Sequence, residues 1–191
     1  TMNAPLWISS MTGGTGPARH INQNLARACG EFGLGMGLGS CRPLLEEDTF
    51  FEDFNLRELI GDHSPFFANL GIAQIEKAIQ QKWVDRIIRL VTRLKADGLI
   101  IHVNPLQEWL QPEGDRISIP PLETLQAFLE QVDFQIIVKE VGQGMGPGSL
   151  KVLLELPLAA IDFAAFGGTN FARLEMLRAP ETWQEYYGPL A

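Results

Sequence analysis

The sequence predicts an α/β fold built on a parallel sheet, and three observations carry that prediction. Short apolar runs alternate with longer stretches of helical periodicity. The apolar runs are continuous rather than alternating, as expected for strands covered on both faces, and each closes on glycine or a polar cluster. Six such units can be traced in the 191 residues, with candidate strands at 6–9, 34–38, 66–69, 98–103, 135–138 and 160–163.

Between the strands, 21–32 places Leu25, Ala28 and Cys29 at helical spacing, 72–97 carries Val84, Ile87, Ile88, Val91 and Leu94, and 122–132 repeats Leu125, Phe128 and Leu129. These are the apolar stripes of covering helices. Residues 43–64 form a longer connection rich in acids and phenylalanines, with a short helix near 56–60, and serve either as a lid or as a packed surface loop. Gly146-Pro147-Gly148 reads as a tight turn before the next helix. No linker, low-complexity tract or repeat divides the chain, so 1–191 is taken as one domain. The pattern fits an open doubly wound sheet or an unfinished barrel. A complete (β/α)₈ barrel needs at least about 200 residues.

A hydrophobic content of 46% is enough for a core, and the formal charge of −8, with 15 Lys plus Arg against 23 Asp plus Glu, disfavours nucleic acid or an anionic membrane as partner. Any phosphate site must be local. Cys29 and Cys41 show neither a disulfide framework nor paired metal-ligand spacing, which implies reduced thiols and a cytoplasmic setting. No apolar run reaches the roughly 20 residues that span a bilayer, and residues 1–6 lack a signal-peptide pattern.

The informative residues fall at the C-terminal ends of the candidate strands, where parallel α/β folds place their sites. Ser10-Met11-Thr12-Gly13-Gly14-Thr15-Gly16 offers backbone N–H groups to a flat or anionic ligand, or is simply a flexible turn. Ser40 and Arg42 set a hydroxyl and a guanidinium two residues apart, suited to phosphate, although such an arginine also serves as a surface ion-pair partner. Asn69 can donate to and accept from a heteroaromatic edge.

After the buried run Leu99-Ile100-Ile101 come His102, Asn104, Gln107 and Glu108, polar groups expensive to bury without partners, with His102 and Asn104 expected on one strand face. The plainer reading makes His102 a hydrogen-bonded core residue and Glu108 a helix-start carboxylate. Lys139, inside an apolar run, stabilises negative charge on a bound ring or pairs with Asp162. The sixth strand leads into Phe166-Gly167-Gly168-Thr169-Asn170, a second backbone-accessible turn. Cys29 reads as core, and Cys41 as a thiol whose pKa Arg42 could lower. His20 and His63 read as surface or capping residues, and Met11, Met36 and Met145 as packing.

Taken in order, Ser10-Met11-Thr12-Gly13-Gly14, Gly39-Ser40-Cys41-Arg42, Asn69-Leu70-Gly71, His102-Val103-Asn104-Pro105-Leu106-Gln107-Glu108, Val138-Lys139-Glu140-Val141-Gly142 and Gly167-Gly168-Thr169-Asn170 resemble the motifs of the type 2 isopentenyl-diphosphate isomerases. The resemblance implies a (β/α)₈ TIM barrel of which about six βα units are represented. It also implies a basic segment before the first strand and two further units after the sixth, so that these residues belong to a longer chain.

The activity it implies is interconversion of isopentenyl diphosphate and dimethylallyl diphosphate with reduced FMN and Mg²⁺, NAD(P)H reducing the flavin. Position by position, Met11, Thr12, Ser40, Asn69, Lys139 and Thr169 match FMN contacts. Ser40, Arg42, His102, Asn104 and Gln107 match substrate contacts, and Glu108 the Mg²⁺ ligand. Gln107, His102 and Lys139 become the candidate catalytic groups. Cys41 and Ala164 depart from the pattern, the latter where relatives carry a hydroxyl. The resemblance leaves a homo-oligomer open. Competing readings are another FMN-dependent barrel oxidoreductase and a flavin-binding fragment without catalysis.

Overall fold

The computed structural model describes residues 2–10, 12–13, 16–164 and 169–187. Six parallel strands, β1 (Trp7–Ile8), β2 (Gly35–Gly37), β3 (Phe66–Gly71), β4 (Gly98–His102), β5 (Gln135–Lys139) and β6 (Ala160–Asp162), lie side by side in chain order. All six fall where the apolar runs predict them. Sequential order removes the doubly wound alternative, because that architecture requires a point at which the strand order reverses. The sheet instead winds in one direction and curls. At the mouth, Ser9 Oγ beyond β1 donates to Asp162 Oδ2 of β6 over 3.3 Å, although the two strands are not neighbours. The result is a curled half-barrel flanked by helices.

The helices are α1 (Ala18–Phe32), α2 (Phe51–Phe54), α3 (Arg57–Ile60), α4 (Ile72–Gln80), α5 (Val84–Arg93), α6 (Pro105–Leu110), α7 (Pro121–Leu129), α8 (Pro147–Leu153), α9 (Phe171–Arg178) and α10 (Glu181–Tyr187). Proline opens α6, α7 and α8, the position where its missing N–H costs nothing and its fixed φ suits the first turn. The single helix expected over 72–97 is two. Lys82 takes a left-handed φ of 57° and breaks the ladder between α4 and α5, a conformation that the apolar stripe running through both helices conceals. The 43–64 connection is a packed structure. A 3₁₀ turn (Arg42–Leu45), α2 and α3 bury Leu44, Phe54, Leu56 and Ile60 against α1 and the sheet.

The two faces of the sheet differ. Outward residues, among them Met36, Phe66, Ala68, Leu70, Leu99, Ile101, Ile136 and Val138, join the helices in one continuous core. Burying each large side chain there stabilises the fold by about 1.5–3 kcal/mol. The concave face holds a small separate cluster of Phe67, Ile100 and Ile137, with Trp7 edge-on to Phe67 at 5.8 Å. Above that layer, toward the strand ends, the concave face becomes polar. Among the described residues no helix is long and apolar enough to cross a membrane.

Candidate active site

Side chains alternate across a strand, so the residues two beyond Phe67, Ile100 and Ile137 share their face: Asn69, His102 and Lys139. Register then aligns Gly71 with His102, His102 with Lys139, and Lys139 with Asp162, forming one polar band across four strands. His102 Nδ1 lies 2.6 Å from Asn69 Oδ1. A carbonyl oxygen only accepts, so Nδ1 carries the proton and Nε2 presents its lone pair. Burial within the curl, and then the Lys139 ammonium, push the imidazole pKa down to about 4, so the ring is neutral at physiological pH. Gly71 leaves room for that ring, since a Cβ there would stand 2.9 Å from Nε2.

Lys139 is buried and donates to the Glu140 carbonyl at 2.8 Å, with Asp162 Oδ2 at 3.5 Å. The structure bears out the pairing of Lys139 with Asp162, and it sets the lysine on the concave face. Glu140, pointing the other way, accepts from Gly142 N at 2.6 Å and Gly144 N at 2.8 Å and so shapes the loop after β5. Gly142 has φ 144° and lies against Asn170, where a Cβ would come within 2.6 Å of Asn170 Cα.

A second network begins beside this band. Asn104, which precedes α6, donates to Gln107 Oε1 at 3.2 Å and Glu108 Oε1 at 3.1 Å. The other Glu108 oxygen accepts from Asp115 N at 2.7 Å. The Asp115 carboxylate meets Lys77 at 2.5 Å, Gln74 at 2.8 Å and Arg42 at 3.4 Å. Partial burial works to raise its pKa, but Lys77, Arg42 and Gln74 outweigh it and hold the carboxyl below the usual range. Gln74 also accepts from Gly71 N at 3.0 Å, which ties this network to the band.

The sequence-predicted residues thus divide. Asn69, His102 and Lys139 share the concave band, while Arg42, Asn104, Gln107 and Glu108 share the second network. His102 and Asn104 do not sit on one strand face, because β4 ends at His102 and the chain turns into α6. Ser40 is exposed, its Oγ accepting from Arg42 N at 3.4 Å. The Thr12 hydroxyl donates to Asn22 Oδ1 of α1 rather than toward the band. Thr169 is exposed just ahead of α9, and Met11 lies outside the described residues.

The expectation that Arg42 lowers the Cys41 pKa is overturned. The thiol is fully buried and burial pushes its pKa up to about 12, with only a backbone hydrogen bond from Asn69 opposing. Cys29 is core, Met36 is buried, and His20 and His63 are exposed, as the sequence suggests. Asp115, Gln74, Lys77, Glu140 and Ser9 were not anticipated. Only Gln74, three residues after a strand-end glycine, carries a local signal, that of a helix-start acceptor.

Two buried polar atoms at the mouth, Ser10 Oγ and Asn104 Oδ1, have no hydrogen-bond partner among the described residues. Such atoms are costly to strand and mark places where a ligand's polar groups fit. Among the described residues no three His, Cys, Asp or Glu side chains group to hold a metal. Glu108 is the carboxylate of this network that could serve an ion taking its remaining ligands from diphosphate and water.

No family model matches the chain. Individual proteins do match, over nearly its whole length. The sequence is 39% identical over 184 residues to a protein of Rickettsia peacockii (strain Rustic), 42% over 178 to one of Deinococcus radiodurans, and 41% over 179 to one of Pseudescherichia vulneris. All three are named isopentenyl-diphosphate delta-isomerase. These alignments take in 96%, 93% and 93% of this chain but 53%, 52% and 50% of the relatives, so the chain spans about half the length of the curated proteins it matches.

Proposed function

We propose that the chain forms the flavin- and diphosphate-binding half-barrel of a type 2 isopentenyl-diphosphate isomerase, interconverting isopentenyl and dimethylallyl diphosphate in a complete (β/α)₈ barrel. The observation that carries this reading is the polar band on the concave face at the ends of β3 to β6, adjoining a network that holds Arg42, Gln107 and Glu108 together. The names of the relatives support the substrate pair.

When bound, FMN reduced by NAD(P)H supplies a ring nitrogen able to exchange a proton with the allylic unit, and Mg²⁺ supplies charge neutralisation of the diphosphate. The chain's own residues bind and orient. Asn69 and Lys139 hold the flavin from the concave face, with Met11, Thr12, Ser40 and Thr169 contributing from the loops. Because the Thr12 side chain is engaged by Asn22, its contribution is through the backbone.

Arg42 takes a diphosphate oxygen, and Glu108 provides the protein ligand to Mg²⁺. Neutral His102 offers Nε2 as an acceptor without adding a competing charge. Gln107, its amide oxygen held by Asn104, positions the allylic carbons and shares in proton movement.

In the whole polypeptide, Glu108→Ala is expected to abolish Mg²⁺-dependent isomerisation, followed by proton NMR of the two isomers, while FMN binding stays intact. Wild-type turnover in that variant would remove Glu108 from the metal site.

A further inference from the structure

Three strand-end segments of the network converge on one residue outside every motif singled out in the sequence. Asp115 receives Arg42 from beyond β2 and Lys77 and Gln74 from α4 on its carboxylate, while its backbone N–H reaches Glu108 of α6. The turn that carries it presses closely on α6, since a Cβ on Gly114 would fall 1.9 Å from the Glu108 carbonyl oxygen. We infer that Asp115 is a positioning residue for Glu108: its side chain clamps the 111–115 turn onto α4, so that its N–H fixes the orientation of the Glu108 carboxylate for a divalent cation.

Glu108 needs such a clamp. Its carboxylate is held at one oxygen by the Asn104 amide at 3.1 Å and at the other by Asp115 N at 2.7 Å, and both oxygens keep a lone pair for an ion. The Asn104 bond alone leaves the second oxygen free to rotate. The Asp115 N–H stops that rotation only while the turn stays in place. The turn is held by a 2.5 Å contact with Lys77, a 2.8 Å bond from Gln74 and a 3.4 Å pair with Arg42, all to the same carboxylate. One side chain therefore sets both the cation-facing carboxylate and the resting position of the diphosphate-facing guanidinium. This inference rests on the reading of Glu108 as the metal ligand.

The test is Mn²⁺ binding, followed by electron paramagnetic resonance in the presence of inorganic pyrophosphate, in the whole polypeptide and in Glu108→Ala, Asp115→Ala, Asp115→Asn and the Glu108→Ala/Asp115→Ala double variant. Removing a residue that orients a metal ligand weakens metal binding about 10–100-fold, and that is the loss expected for Asp115→Ala. Asp115→Asn keeps an acceptor for Gln74 and loses both charge pairs, so its loss should be smaller. In the absence of Glu108, removing Asp115 should change Mn²⁺ affinity no further, because the effect passes through Glu108.

Unchanged affinity in Asp115→Ala with a native circular dichroism spectrum, while Glu108→Ala is weakened, overturns the inference alone. Equal weakening with and without Glu108 overturns it too. Unchanged affinity in Glu108→Ala defeats the metal-ligand reading itself, and the inference with it. Should Asp115→Ala fail to fold, Asp115→Asn carries the same comparison.

Discussion

The convex and concave faces of the same six strands are built on opposite terms. The convex face is apolar from end to end and sealed by helices. The concave face is apolar only for one layer, Trp7, Phe67, Ile100 and Ile137, before Asn69, His102, Lys139 and Asp162 replace it toward the strand ends. Two-residue alternation lets each strand serve both faces, so Ile101 and Val138 stabilise the sheet while their neighbours His102 and Lys139 line the concave mouth. The fold is secured on one side and the candidate site is placed on the other. Substitutions on the two faces should therefore fail differently.

The largest effect on stability is expected outside. Phe66→Ala on the convex face should destabilise the whole polypeptide by about 3–5 kcal/mol in denaturant melts, and Ile137→Ala, in the small concave cluster, by about 2 kcal/mol. Equal losses would break the contrast.

Next comes the acid response of the concave band. The His102 pKa falls from the usual 6.5 in the unfolded chain to about 4 in the fold, so between those values the unfolded state binds more protons. Stability is full above pH 6.5 and is lost as pH falls toward 4. His102→Asn should flatten that part of the stability profile, and an unchanged slope would show that the ring does not titrate as described.

Weaker still, Glu140→Gln removes the charge that gathers the Gly142 and Gly144 N–H groups. It should raise hydrogen exchange in the loop after β5 with little change in the global melt. The smallest effect belongs to the exposed Arg93–Asp48 pair, 2.9 Å apart. Asp48→Asn should leave the unfolding midpoint unmoved.

The convex face was the legible one. Its strands appear in the sequence as the runs Leu99-Ile100-Ile101 and Ile136-Ile137-Val138, continuous because Ile100 and Ile137 are buried on the concave face as well, and their ends fall within a residue of those expected. Legibility ended where backbone conformation, rather than side-chain pattern, decided the outcome. The left-handed Lys82 splits α4 from α5, and the turn into Pro105 takes Asn104 off the β4 face.

For the site, the strand-end positions of Asn69, His102 and Lys139 could be read because polar groups interrupt apolar runs. Asp115 could not be read, because its role depends on a loop returning to α4 from 38 residues away. Cys41 shows the converse, a neighbour in sequence whose influence burial overrides.

In the proposed function, the concave band binds a reduced flavin on which isomerisation depends. The most direct measurement is anaerobic conversion of isopentenyl diphosphate by the whole polypeptide, stripped of flavin and assayed with Mg²⁺, with and without dithionite-reduced FMN. Conversion to dimethylallyl diphosphate is expected only when reduced FMN is added. Conversion at the same rate with Mg²⁺ alone would contradict it.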